Sequence, residues 1–477
     1  MFVAQAFRPA SLRREADLKV CATPMLERPK DTKDTKDTKE RMMRMALFGA
    51  AVMMAGAVTG CAKADPAPAA PVELAVDGRS NAHLSLAADG RRVAAAWIAS
   101  SDAGADVFTA VSEDGGRTFG APVRVNDVAG DAGGNGEQPP RVVLKKGAIA
   151  VVWVSKRQGV AGIRAARSTD GGRTFPAART ISPDGVTGAR GWESAAIDDA
   201  GVIHAAWLDG RHASPSPAVT RPASAEQAQP SPAAARPAVA PKPDASAGGA
   251  KHVHGAGHAP MRQDIVHAMW RDGEAIVETP VADNVCFCCK TGVAAHGSDV
   301  FVVWRHLFPG GVRDIAIARS ADSGRTFGAP VRVSADDWKI DACPDDGPAL
   351  AIDGGGAIYV AWPTLLQGAS PHMAIFETVS RDGGATFSPR TRVDASETGA
   401  SHPRIAVSGS GARSIVWDEI AAEGRRVMYR GAGAAVPLAE GGSASYPAIA
   451  AAGDGFVVAW TEQAAGRSVV RVVSAPR

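Results

Sequence analysis

The sequence predicts an all-β propeller of four-stranded blades, with seven blades favoured and six as the alternative. Three observations predict it. The phrase S-x-D-x-G-x-T-F occurs four times, at Ser112–Phe119, Ser168–Phe175, Ser320–Phe327 and Ser380–Phe387. Seven short apolar runs each end in a tryptophan: Trp97, Trp153, Trp207, Trp304, Trp362, Trp417 and Trp460. The last unit stops one strand short, while the segment Pro71–Val76 offers an unmatched strand at the other end. In a 477-residue chain, a repeat of this kind overrides any domain count taken from length.

The repeated phrase reads as a tight turn. Its carboxylates, Asp114, Asp170, Asp322 and Asp382, can accept backbone N–H bonds from the residues that follow. The glycines supply the positive φ that such a turn needs. The phenylalanine then starts the next strand with its ring inward. The role expected of these aspartates is structural: they hold hairpins shut. The phrase resembles the Asp box, or BNR repeat, of the sialidase superfamily of β-propellers. That resemblance implies boxes on the face away from the active site, so it speaks for fold more than for activity.

In chain order, residues 1–61 read as a precursor segment. Arg41 and Arg44 precede the apolar stretch Met45–Val58, which is the layout of a secretory signal. Val58-Thr59-Gly60-Cys61 resembles the bacterial lipobox, which implies lipidation of Cys61; ordinary cleavage nearby is the alternative. Residues 62–71 would be a Pro/Ala tether and residues 72–477 the propeller. The expected location is exported, anchored in the membrane by lipid alone and facing the periplasm or cell exterior.

Each blade should contain an alternating strand, a Gly or Asp-Gly turn, and a buried strand ending in tryptophan. Near-continuous apolar runs such as Val300–Trp304 mark strands covered on both faces. Most of the tryptophans fall 54–58 residues apart, a blade's length. The last spacing, Trp417 to Trp460, is 43 residues, and the long one between Trp207 and Trp304 holds a Pro/Ala/His-rich insertion at about 212–260, too poor in apolar residues to fold. Blades 3, 6 and 7 lack a full box; Arg271-Asp272-Gly273 stands as a shortened turn in blade 3. The N-terminal strand is expected to close the last blade and remove the open edges.

Composition excludes some functions. Net charge is +2 and only 21% of residues are charged, so no basic face for nucleic acid is expected. A monomer is expected. The first turns of the blades should ring the channel mouth. They carry His83; Gln138 with Arg141; Glu193; Cys286 to Lys290; Cys343 with Asp345 and Asp346; His402 with Arg404; and Tyr446. Either these form one polar pocket, or the mouth is polar only because it is hydrated.

Four cysteines, Cys286, Cys288, Cys289 and Cys343, fit a disulfide in an exported protein. They also fit a thiolate site for copper or zinc. His252, His254, His258, Met261 and His267 form a second copper-like set, with a flexible polar tract as the alternative.

The sialidase resemblance implies a catalytic set of three arginines, a Tyr–Glu pair and an aspartic acid. Arg141, Glu193, Asp346, Arg404 and Tyr446 are its candidates here, and the family's R-I-P motif is absent. Three functions follow: a non-hydrolytic binding propeller taking a small ligand, glycan or protein at its mouth; a sialidase-type glycoside hydrolase; or a scaffold whose cysteines brace two blades.

Overall fold

The computed structural model describes residues 70–157, 161–183, 186–212, 263–286, 288–339, 346–439, 442–464 and 466–475. Over these residues the chain is a seven-bladed propeller built wholly from antiparallel strands. Blade 1 runs Ser80–Asp89, Arg92–Ser101, Gly104–Ser112 and Val123–Arg124, paired in that order. Blades 3 to 6 repeat the same order. In blade 2 the first strand is split, with Ala132–Gly133 and Arg141–Lys145 both pairing Ala148–Ser155. The first strands of successive blades touch one another around a closed ring, which makes them the innermost strands.

The second strand of each blade carries the tryptophan, because it is the strand covered on both faces. Six of the seven tryptophans are fully buried and Trp460 is 1% exposed. The core lies between blades rather than within them. Trp207, for example, packs with Val152, Val154 and Ile163 of the preceding blade. A buried indole N–H needs an acceptor. Trp207, Trp417 and Trp460 find one in Asp209, Glu419 and Glu462, each two residues further along the same strand.

The ring is closed by Val72–Leu74, which pairs with Arg467–Ala475 as the outer strand of blade 7. Glu73 lies opposite Arg471 in register, and their side chains meet at 2.8 Å. Leu74 is buried in the apolar layer between blades 7 and 1, beside Val470, Leu84 and Trp97.

The four boxes share one geometry. Each aspartate Oδ1 accepts from the serine hydroxyl two residues back at 2.7–2.8 Å. It also accepts from the threonine backbone N–H four residues on at 2.9–3.0 Å. The serine Oγ in turn accepts from the N–H of the glycine four residues on. These bonds, led by those from the threonine, depress all four carboxylates below the usual range, to about 2 for Asp322 and Asp382. In blade 3 the turn shortens, with Glu274 N–H donating to the Arg271 carbonyl and Gly273 at φ 78°.

Two outcomes follow for stability. Leu74→Ala should lower the denaturant-unfolding free energy by about 2–4 kcal/mol, because it hollows the layer that seals the ring. Ser323 holds φ 60°, at the position where the other boxes carry Gly115, Gly171 and Gly383. Ser323→Gly should therefore stabilise by about 0.5–1 kcal/mol in the same assay, relief of left-handed strain exceeding the lost chain stiffness.

Candidate functional site at the channel mouth

One backbone device recurs at the start of the innermost strands. His83, Trp192, His402 and Tyr446 sit in the left-handed region, at φ 57°, 53°, 58° and 53°. Each falls within a register shift: Ala82/Ser85, Gly191/Ser194, Ser401/Arg404 and Ser445/Ala448. A left-handed residue with a side chain costs roughly 1–2 kcal/mol. Its use at one position in four blades marks a designed bulge, which interrupts the ladder and re-aims side chains at the hub. Antiparallel order puts these bulges at the opposite end of the blades from the boxes.

Charged groups from different blades meet at the hub. Lys290, before the first strand of blade 4, is fully buried. Its Nζ lies 2.6 Å from Asp346 Oδ1 of blade 5 and 3.2 Å from Glu137 Oε2 of blade 2. Glu137 Oε1 lies 3.0 Å from Nε2 of His402 in blade 6. These contacts of Glu137 fall within ion-pair distance without the alignment of hydrogen bonds. His402 donates from Nδ1 to Asp418 Oδ2 at 2.7 Å, and its backbone N–H donates to Asp346 Oδ2 at 2.7 Å. Asp418 also accepts from the Tyr446 backbone N–H at 2.7 Å and pairs with Arg425.

The rings of His402 and Tyr446 pack in a tilted arrangement, with centroids 4.2 Å apart and planes inclined by 35°. Gly136 backs directly on the tyrosine ring: a Cβ there would stand 2.2 Å from it, so only glycine fits.

Burial acts on all these groups, and pairing decides the result. Burial alone would depress His402, but Asp418 and Glu137 outweigh it and hold the imidazolium up to about 10. Burial would raise Glu137, but Lys290 and His402 keep it ionised, below the usual carboxylate range. Glu193 goes the other way. It is fully buried, neither carboxyl oxygen has a hydrogen-bond partner, and burial pushes it up to about 7 against the pull of Arg141. Burial, reinforced by Glu137 and Asp418, raises the Tyr446 phenol, which therefore stays protonated. Burial lowers His83 to about 4, leaving a neutral ring whose Nδ1 has no partner.

Two cations stand apart. Arg141 donates from Nε to the Glu193 carbonyl at 2.8 Å and from Nη2 to the Glu137 carbonyl at 3.4 Å, and forms no ion pair with any described residue. Burial, then the neighbouring Arg404 charge, lowers it to about 10. Arg404 makes no hydrogen bond or ion pair with any described residue, although it feels the charges of Glu137, Asp346 and Asp418.

Beside the hub lies the cysteine cluster. Cys286 Sγ is 3.4 Å from Cys289 Sγ and 3.9 Å from Cys288 Sγ, with Trp192 packed against the three. Cys286 and Cys289 are free thiols, while Cys288 has a further partner of its own.

The fold thus brings together Arg141, Glu193, Asp346, His402, Arg404 and Tyr446. It places Glu137 at the centre, where Gln138 was expected; Gln138 instead accepts the Trp192 N–H at 3.2 Å. Asp418 and Arg425 were also missed. They lie on the second and third strands of blade 6, outside the repeat position used to find the others. Cys343, Asp345, His252, His254, His258, Met261 and Cys61 lie outside the described residues. His267 is fully buried in blade 3, its Nε2 3.1 Å from His204 Nδ1. Arg305, another arginine near the cysteines, donates to the carbonyls of Arg313 and Pro363 and stacks on Trp338.

No protein-family model matches the chain, and neither does any curated protein. Among solved structures it is similar to a protein of unknown function from Dyadobacter fermentans, with TM-score 0.46 and 11% identity over 86% of this chain and 99% of that one. It is similar to an ulvan lyase of a polysaccharide lyase family, with TM-score 0.47 and 10% identity over 83% and 93%. A mutant NanB sialidase from Streptococcus pneumoniae matches with TM-score 0.41 and 10% identity over 85% and 94%. At these values no activity transfers; the propeller stands on this chain's own seven sheets.

Glu193 gives a signed pH test. Its folded pKa is raised, so its contribution to stability is intact below about 4.5 and is lost as pH rises through about 7. Glu193→Gln mimics the protonated form at every pH. The variant should match the wild type near pH 4.5 and exceed it by about 2–4 kcal/mol above pH 7.5 in urea unfolding. A constant difference across that range would show that Glu193 is not held neutral.

Proposed function

We propose that the protein is a non-hydrolytic binding propeller whose channel mouth takes a small carboxylate-bearing ligand, such as an acidic sugar or the acidic end of a glycan. The observation that carries this reading is the unpaired guanidinium of Arg404. In the same hub Lys290, His402 and Arg425 are each matched to carboxylates, whereas Arg404 and its neighbour Arg141 have no acidic partner within ion-pair distance among the described residues. Two guanidiniums without a carboxylate in ion-pair contact form a local positive excess, and planar guanidinium is suited to bidentate recognition of a carboxylate. The packed His402–Tyr446 pair would offer aromatic surface for a sugar ring. In this reading the chain is exported and held at a membrane surface by lipid on Cys61, and it acts as a monomer.

Sialidase-type hydrolysis is the second reading, favoured by one observation. A buried carboxyl raised to about 7 beside an arginine, as Glu193 is, has the character of a general acid. The raised phenol of Tyr446 weighs against it, since a tyrosine nucleophile requires easy loss of that proton.

Calorimetric titration with N-acetylneuraminate, glucuronate and galacturonate, against their neutral counterparts, tests the proposal. At least one acid should bind while its neutral counterpart does not. Arg404→Ala should weaken it by about 10- to 100-fold, the worth of a charge-assisted hydrogen bond. Binding of neutral and acidic sugars alike would overturn the carboxylate reading. Turnover of a fluorogenic sialoside that Tyr446→Phe or Glu193→Gln abolishes would overturn the non-hydrolytic one.

A further inference from the structure

The ligand reading leaves the cysteines before blade 4 unused. Cys286 and Cys289 are spaced Cys-x-x-Cys and carry free thiols. Their sulfurs are 3.4 Å apart, and the side chains are 4% and 1% exposed. Arg313 Nη1 lies 3.8 Å from Cys286 Sγ, and the Cys286 N–H donates to the Arg305 carbonyl. We propose that Cys286 and Cys289 form a redox-active dithiol that closes reversibly to a disulfide by exchange with a low-molecular-weight disulfide.

The two thiols are unequal in the way such a pair requires. The hydrogen bond with Cys289, together with the charges of Arg313 and Arg305, pulls Cys286 down to about 6 against its burial. Burial and the Cys286 neighbour push Cys289 up. Cys286 is therefore the attacking thiolate and Cys289 the resolving thiol.

The Cys286 thiolate attacks one sulfur of R–S–S–R, whose S–S bond breaks to release R–S⁻. The Cys289 sulfur, having given up its proton, then attacks Cys286 Sγ and expels the second R–S⁻. Two protein thiols are oxidised, one disulfide is reduced to two thiols, and the two protein protons end on the released thiols. Closing the bond brings the sulfurs together by about 1.4 Å, to the usual disulfide length. Burial of both sulfurs limits the reactant to small molecules.

The geometry favours this chemistry over a soft metal. Two thiolates on a tetrahedral metal at ~2.3 Å stand about 3.8 Å apart, wider than this pair. The third sulfur, Cys288, is engaged elsewhere, and two guanidinium charges act on Cys286 where a cation would have to sit. Cys289 directly precedes Lys290, so the redox state of the pair is set one residue from the buried ammonium of the hub.

The test uses the full-length chain, purified without chelator and equilibrated in graded ratios of oxidised to reduced glutathione. Free thiols are then alkylated under denaturing conditions and mapped by peptide mass spectrometry. Cys286 and Cys289 should become protected together in one step, joined to each other, and should be released on return to reduced glutathione. Cys289→Ser should stop at a single glutathione adduct on Cys286, and Cys286→Ser should leave Cys289 unmodified. The wild-type titration stands alone if either variant fails to fold. The proposal is overturned if both thiols stay alkylatable at the most oxidising ratio or if the new bond joins Cys288. It is also overturned if stoichiometric copper or zinc must be stripped before any oxidation occurs.

Discussion

The whole molecule depends on one pairing between the ends of the chain. Val72–Leu74 lies along Arg467–Ala475, and this short ladder turns a row of sheets into a ring. Until it forms, blades 1 and 7 present bare flanks, and the apolar layer holding Leu74, Leu84, Val470 and Trp97 is open to water. The hub depends on it as well, because its charges come from blades 2, 4, 5 and 6 and Asp418 is held by the Tyr446 N–H of blade 7. A linear array of the same blades would hold every local contact and still have no site. Contacts of such long sequence separation are entropically the last to be rewarded in folding.

Within the ring, one physical effect has two opposite outcomes. Removing a carboxylate from water is costly, and the cost is offset only by good partners. Glu137 has Lys290 and His402 and stays charged; Glu193 has no hydrogen-bond partner and tends to neutrality. The left-handed bulges make this contrast possible. They place His402 and Tyr446 so that the Asp418 carboxylate meets the His402 ring and the Tyr446 backbone N–H at once. Strain in the backbone is thus held by charge, and the charge is held by the strained backbone.

The two ends of the blades do different work. At one end the boxes place exposed carboxylates on serine, threonine and backbone donors a few residues away, so each turn is self-sufficient. At the other end most contacts cross between blades, as Lys290–Asp346 and Glu137–His402 do. This asymmetry explains why the box end repeats in sequence and the hub end does not.

The blades were legible in the sequence because their signals are local. A box is eight residues long, and a doubly covered strand shows as an unbroken apolar run ending in tryptophan. The closing strand was legible because Pro71–Val76 copies a strand that the last blade lacks. Several hub residues were legible too, since Arg141, Glu193, His402, Arg404 and Tyr446 share one place in the repeat. Glu137, Asp418 and Arg425 were not. Glu137 is displaced by the split first strand of blade 2, and the other two belong to strands that usually serve the core. By itself, then, the sequence determined the blades and their turns and favoured seven of them over six. Which charges are paired, which carboxyl is neutral and which guanidinium stays free was decided only by the closed ring, because those states depend on burial and on partners dozens to hundreds of residues away.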